Sequence, residues 1–460
     1  MVNIKTDSRK VVDGDTFVAL RGVSSDGHDY ILKAIKNGAT KIIAEEGNYE
    51  VETNIVPDTR QYLVSYLKDN YNQYLEKMKI IGITGTNGKT TSAFLIAKAL
   101  NVLGIKSSYI GTLGFYIIEK IDSLDNTTPD ILELYNMLLA SYEQGCQCVI
   151  VEVSSQGLGY NRVDGFLFDY AIFTNLTQDH LDYHKTMENY AVAKQKLFKK
   201  LKSNGKAIVN YDDEYKAYFL LENNVNITYG FTGGDYQVVN FEMNNHETMF
   251  KYTYENKSYN VVTSLIGKYN VYNLLVAIII LREFGVKDDV LDKLLPTLKT
   301  PAGRMDTIKY RSNSIIIDYA HTPDAITKII KTMAEVTIGN IYVVFGCTGD
   351  RDRTKRPIMT SLVTSMAKYA ILTNDDPHNE DPYQIIEDMT TGIVRNNYEV
   401  IIDRKDAIIK GIELLEENDV LLILGKGHEE VMIIKNQKIP FNDHNVVMDH
   451  LNKISGVLKK

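Results

Sequence analysis

The stretch MKIIGITGTNGKTTSAFLIAKALNVLG, Met78 to Gly104, decides the fold. Its apolar opening, Ile80 to Thr84, has the length and composition of a buried strand. Its amphipathic close, Ser92 to Leu103, has the period of a helix. Between them run Gly85, Thr86, Asn87, Gly88, Lys89, Thr90 and Thr91. Glycines let a backbone turn tightly and aim several N–H groups at one anion. The helix N-terminus adds partial positive charge. Lys89 is placed to reach terminal phosphates, and the hydroxyl of Thr90 or Thr91 to hold Mg²⁺. The usual P-loop spacing has a glycine five residues before Gly88, where this chain has Ile83. A ligand-free turn is the bland alternative. The Lys-Thr-Thr at the helix start favours a nucleoside triphosphate.

Working outward, 460 residues predict two to four domains. Apolar residues make up 44% and charged residues 24%, the balance of an ordinary globular protein. A net charge of −8 without a basic block excludes nucleic acid as the expected partner. Cys146, Cys148 and Cys347 form no disulfide framework and lack metal-ligand spacing. No signal-like or membrane-spanning apolar run is present, so the cytoplasm is the default expectation; separately, a monomer is expected. There is no internal repeat.

Residues 1–77 carry dense turn signals and read as a small α/β module. Residues 78–300 alternate strands (Val149–Val153, Ala171–Thr174, Ala207–Asn210) with helices, which predicts a doubly wound, mostly parallel sheet. From about Glu222 to Val262 the pattern predicts antiparallel strands at its edge. Asn270 and Asn273 share one face of the helix after Gly267, suited to capping or to an adenine contact. Residues 301–460, opening with Pro301-Ala302-Gly303-Arg304, predict a second parallel, Rossmann-like α/β domain with strands at Ser314–Asp318, Ile341–Gly346, Ala370–Thr373 and Leu421–Gly425. In both large domains the polar clusters follow strands. They include Glu152-Val153-Ser154-Ser155, Asn175 to His184, Asp318 to Asp324, Asp350 to Pro357, Asp375 to Pro382 and Gly425 to Glu429. Ligands of such sheets sit at strand C-termini, on loops held by a rigid scaffold. Glu152 and His180 are thereby expected near the γ-phosphate, although a lone histidine is more often structural.

GTNGKTT, EVSSQGL, NLTQDHLDYH, the paired asparagines, PAGRMD, DYAHTPDA, the Asp350–Pro357 run and GKGHE together resemble the Mur ligase family, end to end and in order. The N-terminal DSR and DGHDY, with NTTPD and DDPHNEDP, resemble the member that adds the third peptide residue to UDP-N-acetylmuramoyl-L-alanyl-D-glutamate. The resemblance implies an ATP- and Mg²⁺-dependent ligase working through an acyl phosphate in peptidoglycan precursor synthesis. It implies that Lys89 and Thr90 hold the phosphates and Mg²⁺, with Glu152 and His180 as metal ligands. Lys194 falls where the family carries a carbamylated lysine; without the resemblance it reads as a surface lysine. Asn270, Asn273, Arg304 and Asp318 fall in nucleotide positions. Ser8 matches a uridine-binding position, and Thr127, Thr128, Ser154 and Arg162 match muramoyl-dipeptide positions. Arg356, Asp375, Asp376, His378, Gly425 and Glu429 match the pocket of the incoming amino acid. Members using meso-diaminopimelate typically read Asp-Asn-Pro-Arg there. The Asp375-Asp376-Pro377-His378 of this chain leans toward L-lysine. Two rivals are a folylpolyglutamate-synthase-type ligase, which is not expected to carry the N-terminal module, and an inactive nucleotide-binding homologue.

Overall fold

The computed structural model describes residues 3–457, except 23, 24, 245, 246 and 436. Three α/β units follow one another along the chain. The first has a four-stranded parallel sheet, from Ile4–Lys5 to Glu52–Ile55. The second is built on an eleven-stranded sheet and the third on a six-stranded one.

The strand predicted at Ile80–Thr84 runs Lys79–Thr84, in the parallel heart of the central sheet. Cys148–Glu152 pairs with it on one side and Phe168–Phe173 on the other. Its alternate residues face two different cores, Ile80 one and Ile81 with Ile83 the other. Burial on both faces is why the run is continuously apolar rather than alternating. The chain leaves this strand toward one edge and returns to the other side. The three strand ends therefore flank a topological switch point, where α/β sheets bind ligands. The helix begins at Lys89, three residues earlier than the period alone predicts, and ends at Val102. Gly88 makes the early start possible, with φ of 85° just before the first helical residue. A Cβ there would stand 2.6 Å from Asn273 Oδ1.

Beyond Leu201–Asn210 the sheet continues through Val225–Gly230 into Tyr236–Met243, Thr248–Tyr254 and Lys257–Thr263. The last three pair antiparallel, as their alternation predicts, while Tyr236–Met243 joins its inner neighbour in parallel. The opposite edge folds back through Gly114–Ile117 and Glu119–Asp122, a hairpin not read from the sequence.

The third unit orders its strands Asp306–Tyr310, Asn313–Asp318, Val420–Leu424, Ile341–Phe345, Tyr369–Leu372, Tyr398–Val400. All but the first pair in parallel. An unread hairpin, Val431–Ile434 with Gln437–Pro440, follows the GKGHE loop. Among the described residues no helix is long and apolar enough to cross a membrane.

One buried ion pair ties this unit together. Arg404 and Asp443, both with side chains 0% exposed, meet through bonds of 2.8 and 2.7 Å. The guanidinium also donates to the Leu424 and Asn374 carbonyls, at 3.0 and 3.4 Å. It thus joins two polar loops to the start of the last helix, Asp443–Val457. Removing one partner leaves an uncompensated buried charge, which costs about 3–5 kcal/mol. Asp443→Ala should lower unfolding stability by that order, read from the urea midpoint at constant slope. A midpoint within error of wild type would show that the pair is dispensable.

Candidate active site

The loop after Lys79–Thr84 is held by its neighbour strand's loop. Thr86 N–H donates to the Asn175 carbonyl (2.8 Å) and Asn87 N–H to Asn175 Oδ1 (3.0 Å). The Asn87 carbonyl accepts from Thr174 Oγ1 at 2.6 Å and from Asn175 Nδ2 at 3.0 Å. Gly85, at φ 148°, lies so close to Thr174 that a Cβ would be 1.9 Å from its hydroxyl. The first intrahelical bond runs from Ser92 N–H to the Gly88 carbonyl. The N–H groups of Lys89, Thr90 and Thr91 precede it, the arrangement that receives anions at helix starts.

Two lysines converge on one oxygen of this loop. Lys89 Nζ donates to the Gly85 carbonyl at 2.9 Å and to the Thr86 carbonyl at 2.8 Å. Lys194 Nζ donates to the same Gly85 carbonyl at 2.8 Å. Lys194 is only 1% exposed and lies 4.4 Å from the centre of the Tyr190 ring. Burial, then the neighbouring Lys89 charge, holds its pKa well below the usual lysine range. Burial lowers that of Lys89 too, against the pull of Glu152 and Asp179.

Glu152 is fully buried at the end of the adjacent strand. Its carboxylate accepts from Thr90 Oγ1 (2.9 Å), Thr112 N–H (3.1 Å), Thr112 Oγ1 (3.2 Å) and the Tyr109 hydroxyl. Of the two candidate threonines, Thr90 is the one against the carboxylate. Paired hard oxygens of this kind fit Mg²⁺. His180 is placed differently. It has φ of 53°, a side chain 47% exposed, and Asp179 3.4 Å away. Asp179 had no role in the sequence reading, yet its charge acts on Lys89, Lys194 and Tyr190. Its only sequence signal was its place in TQDH.

Asn270 and Asn273 are buried and bonded to each other at 3.1 Å. Asn270 Nδ2 donates to the Ile266 carbonyl (2.8 Å), and Asn273 Oδ1 accepts from Ser92 Oγ (3.1 Å). In this structure the pair ties its helix to the Ile266 carbonyl before it and docks it on the helix Lys89–Val102; no side chain caps it. Arg304 packs 4.5 Å from the Tyr319 ring centre, with its Nε buried and unpartnered. Asp318 accepts from the Met305 and Ala320 N–H groups, both at 2.8 Å.

Thr127, Thr128, Ser154 and Arg162 come together on the central unit. Thr128 Oγ1 donates to the Glu152 carbonyl (2.9 Å) and accepts from Ser154 N–H (2.9 Å). Arg162 donates to the Thr128 carbonyl at 2.9 Å, and Thr127 meets Thr112 hydroxyl to hydroxyl at 3.2 Å. Ser8 lies in the N-terminal unit, buried, its carbonyl accepting from Asn37 Nδ2 at 2.8 Å.

The third unit gathers a dense charge cluster. Lys426, with a side chain 0% exposed, stands 2.9 Å from Asp376, 2.8 Å from Glu429 and 3.7 Å from Asp375. Burial opposes its charge, but the three carboxylates outweigh it and raise its pKa. Burial also raises those of Asp375 and Glu429. Asp376 Oδ1 further accepts from Ile433 N–H at 2.9 Å. Gly425 packs against Asp375, 2.6 Å from a would-be Cβ. His378 has φ of 50° and is half-buried; its N–H donates to the Ile433 carbonyl. Arg356 is fully buried and bonded to Glu380 (3.0 and 2.9 Å), Asp388 (2.7 Å) and the Thr348 carbonyl (3.2 Å).

All three stretches match models of one family. Residues 1–85 match "Mur ligase family, catalytic domain", 83–281 "Mur ligase middle domain", and 303–427 "Mur ligase, glutamate ligase domain". A Bacillus cereus protein is 39% identical over 459 residues, spanning 98% of this chain and 94% of its own. The chain belongs to the Mur ligase family. That relative is a UDP-N-acetylmuramoyl-L-alanyl-D-glutamate–2,6-diaminopimelate ligase, as is a Fusobacterium nucleatum protein 40% identical over 96% of this chain and 92% of its own. A solved structure of a ligase of the same name superposes with a TM-score of 0.70 at 33% identity, covering 98% of this chain and 95% of that one. A folylpolyglutamate synthase from Mycobacterium tuberculosis, bound to ADP and AMPPCP, shares the fold at 16% identity and a TM-score of 0.65, over 79% of this chain and 91% of that one. This Mur ligase is an ATP-dependent, ADP-forming ligase.

Arg356 and Glu380 generate a pH prediction. The Arg356 guanidinium holds the Glu380 carboxyl down from its ordinary 4.5 to about 2. A depressed carboxyl contributes stability above its unfolded pKa and loses it as pH falls through the folded one. Glu380→Gln of this Mur ligase should therefore be less stable at neutral pH. It should also lose less stability than wild type between pH 4.5 and 2. Parallel acid-unfolding curves for the two proteins would refute the link.

Proposed function

We propose that this Mur ligase joins a diamino acid to the D-glutamate of UDP-N-acetylmuramoyl-L-alanyl-D-glutamate, in peptidoglycan precursor synthesis. The observation that carries the reading is near end-to-end similarity to ligases of that name, together with Lys89, Thr90 and Glu152 in contact around the phosphate loop. In this reading residues 1–77 take the uridine nucleotide through Ser8. Residues 78–300 take the phosphates of ATP and the muramoyl-dipeptide, and residues 301–460 take the amino acid.

The chemistry follows from the parts. A carboxylate does not react with an amine at neutral pH. Transfer of the γ-phosphoryl group from ATP to the glutamate side-chain carboxylate gives an acyl phosphate and ADP. The incoming amine attacks the acyl carbon, and the tetrahedral intermediate expels phosphate; the amine loses one proton. The loop N–H groups and Lys89 offset the charge that spreads over the transferring group. Thr90 and Glu152 would hold Mg²⁺, which when bound supplies further positive charge there. Lys194 suits carbamylation, because its buried amine favours the neutral form that attacks CO₂. The product is an anion beside Lys89, and a cation site in place of a cation. Thr127, Thr128, Ser154 and Arg162 would align the dipeptide beside Glu152.

For the amino acid we take diaminopimelate, on the relatives. Asp376 adds a carboxylate to the pocket, but the structure bonds it to Lys426 and Ile433, so it no longer argues for a free ammonium. L-lysine keeps one specific observation in its favour. Arg356 has its guanidinium nitrogens committed to Glu380 and Asp388 except for Nε, and His378 supplies no guanidinium for a distal carboxylate.

A panel of meso-diaminopimelate, L-lysine and L-ornithine, with ATP and the muramoyl-dipeptide, tests the assignment. Diaminopimelate should give the highest kcat/KM. A higher value for L-lysine would move the substrate, and no turnover with any would end the reading. Lys89→Ala should abolish ADP release while keeping the fold; near-normal turnover would remove the phosphate loop from the mechanism. Lys194→Ala should lose activity that short carboxylates partly restore. Full activity without them would make this lysine an ordinary buried amine.

A further inference from the structure

The Asn87 side chain turns away from the phosphate loop it belongs to. Its backbone is fixed on both sides by Thr174 and Asn175. Its carboxamide instead reaches toward the third unit, where Nδ2 donates to Asp324 Oδ2 at 3.2 Å. The same nitrogen lies 3.4 Å from Thr177 Oγ1. Asp324 is equally well held. It follows Pro323 in the first turn of the helix Pro323–Val336, whose start Thr322 caps by accepting from Ala325 N–H at 3.3 Å. A proline at the first helical position and a threonine cap fix such a turn. Lys328, one turn on, orients the carboxylate at 2.8 Å. Two rigid elements from different units thus present one donor and one acceptor to each other across the cleft. Elsewhere the two units meet where Ile266 and Tyr269 of the central unit pack on the core of the third, and through the longer ion pairs of Lys120 with Glu430 at 3.7 Å and Lys438 with Asp125 at 3.9 Å.

We propose that Asn87 and Asp324 form a latch that couples closure of the third unit to the conformation of the phosphate loop. Asp324 is then a positioning residue for the ligase reaction. It bears on the acyl phosphate without touching it, by keeping water out of the closed cleft. Asn87 anchors the phosphate loop on Thr174 and Asn175 through its backbone and serves the domain closure through its side chain. A hydrogen bond to a charged acceptor is strong enough to bias a two-state equilibrium, and its partial exposure keeps it breakable for product release.

Two readouts test this, of which only one depends on the proposed substrates. Spin labels at Lys98→Cys and Val394→Cys, both exposed, report the distance between units; the three native cysteines are buried. With a non-hydrolysable ATP analogue the wild-type protein should show a dominant short distance. Asp324→Ala should shift most molecules to longer distances. The Asp324 side chain is 34% exposed, so its loss strands no buried charge. With substrates the same variant should lower kcat about tenfold and release more than one ADP per amide formed, because water reaches the acyl phosphate. Asn87→Asp alone should open the cleft through carboxylate repulsion. Combined with Asp324→Asn it reverses donor and acceptor, and should bring back the short distance. Unchanged distances and unit ADP stoichiometry in Asp324→Ala would overturn the latch. So would failure of the reversed pair to restore closure. If no diamino acid is ligated at all, the distance measurement still decides the latch, and only the proposed substrates fall.

Discussion

The close packing of Gly85 on Thr174 is the constraint from which the centre of the molecule is built. No side chain fits between the two strand ends, so the phosphate loop must lie against the loop that follows Phe168–Phe173. That contact turns the Gly85 carbonyl to where both Lys89 and Lys194 can reach it. It also sets the helix start, and with it the Thr90 hydroxyl against Glu152. Burial disfavours the charged form of Lys194, and the Lys89 ammonium on the same acceptor adds repulsion. The depressed pKa of Lys194 is the physical outcome.

The third unit solves the opposite problem. Three carboxylates crowd around Lys426, and like charges so close resist ionising together. The single buried ammonium holds two loops and, through Asp376, the following hairpin in register. Arg404 performs the same service one layer deeper with Asp443. The pocket proposed for the amino acid thus has walls made from ion pairs rather than apolar packing. Its shape depends on every member of the set, and a conservative change at one position alters the charge felt at the others.

How far the sequence alone reached depended on the range of the interaction. The central strands were legible because runs such as Val149–Val153 are apolar on both faces, and double burial leaves that pattern. The loops were legible because glycine, lysine and threonine at fixed spacing have few other uses. Pairings made between distant loops were not. Asp376 counted toward L-lysine because nothing local shows that Lys426 already pairs with it. Arg356 read as a pocket residue, while Glu380 and Asp388, which occupy its guanidinium, were given no role. Lys194 read as a surface lysine on its own and proved 1% exposed, a fact that belongs to tertiary packing. The hairpin Gly114–Ile117 with Glu119–Asp122 was missed because its turn residue, Ile118, has φ of 66°, where an isoleucine is not expected.

The arrangement of the eleven-stranded sheet also bears on how the chain acquires its structure. Ile81 lies beside Tyr170 in the parallel heart of the sheet, with the whole intervening segment to be looped out first. Such distant pairings carry a loop-closure cost before they return any contact energy, and they form slowly. The edge strands Thr248–Tyr254 and Lys257–Thr263 are joined by only Glu255 and Asn256, both at positive φ. A hairpin of that kind closes in about 1–10 μs. Assembly should therefore run from the rim inward, with the nucleotide loop among the last parts to take shape. During synthesis the segment bearing Lys89 emerges well before the strand that completes its bed. Until then an apolar strand, Lys79–Thr84, lacks its Phe168–Phe173 neighbour, and that interval is when this chain is most exposed to self-association.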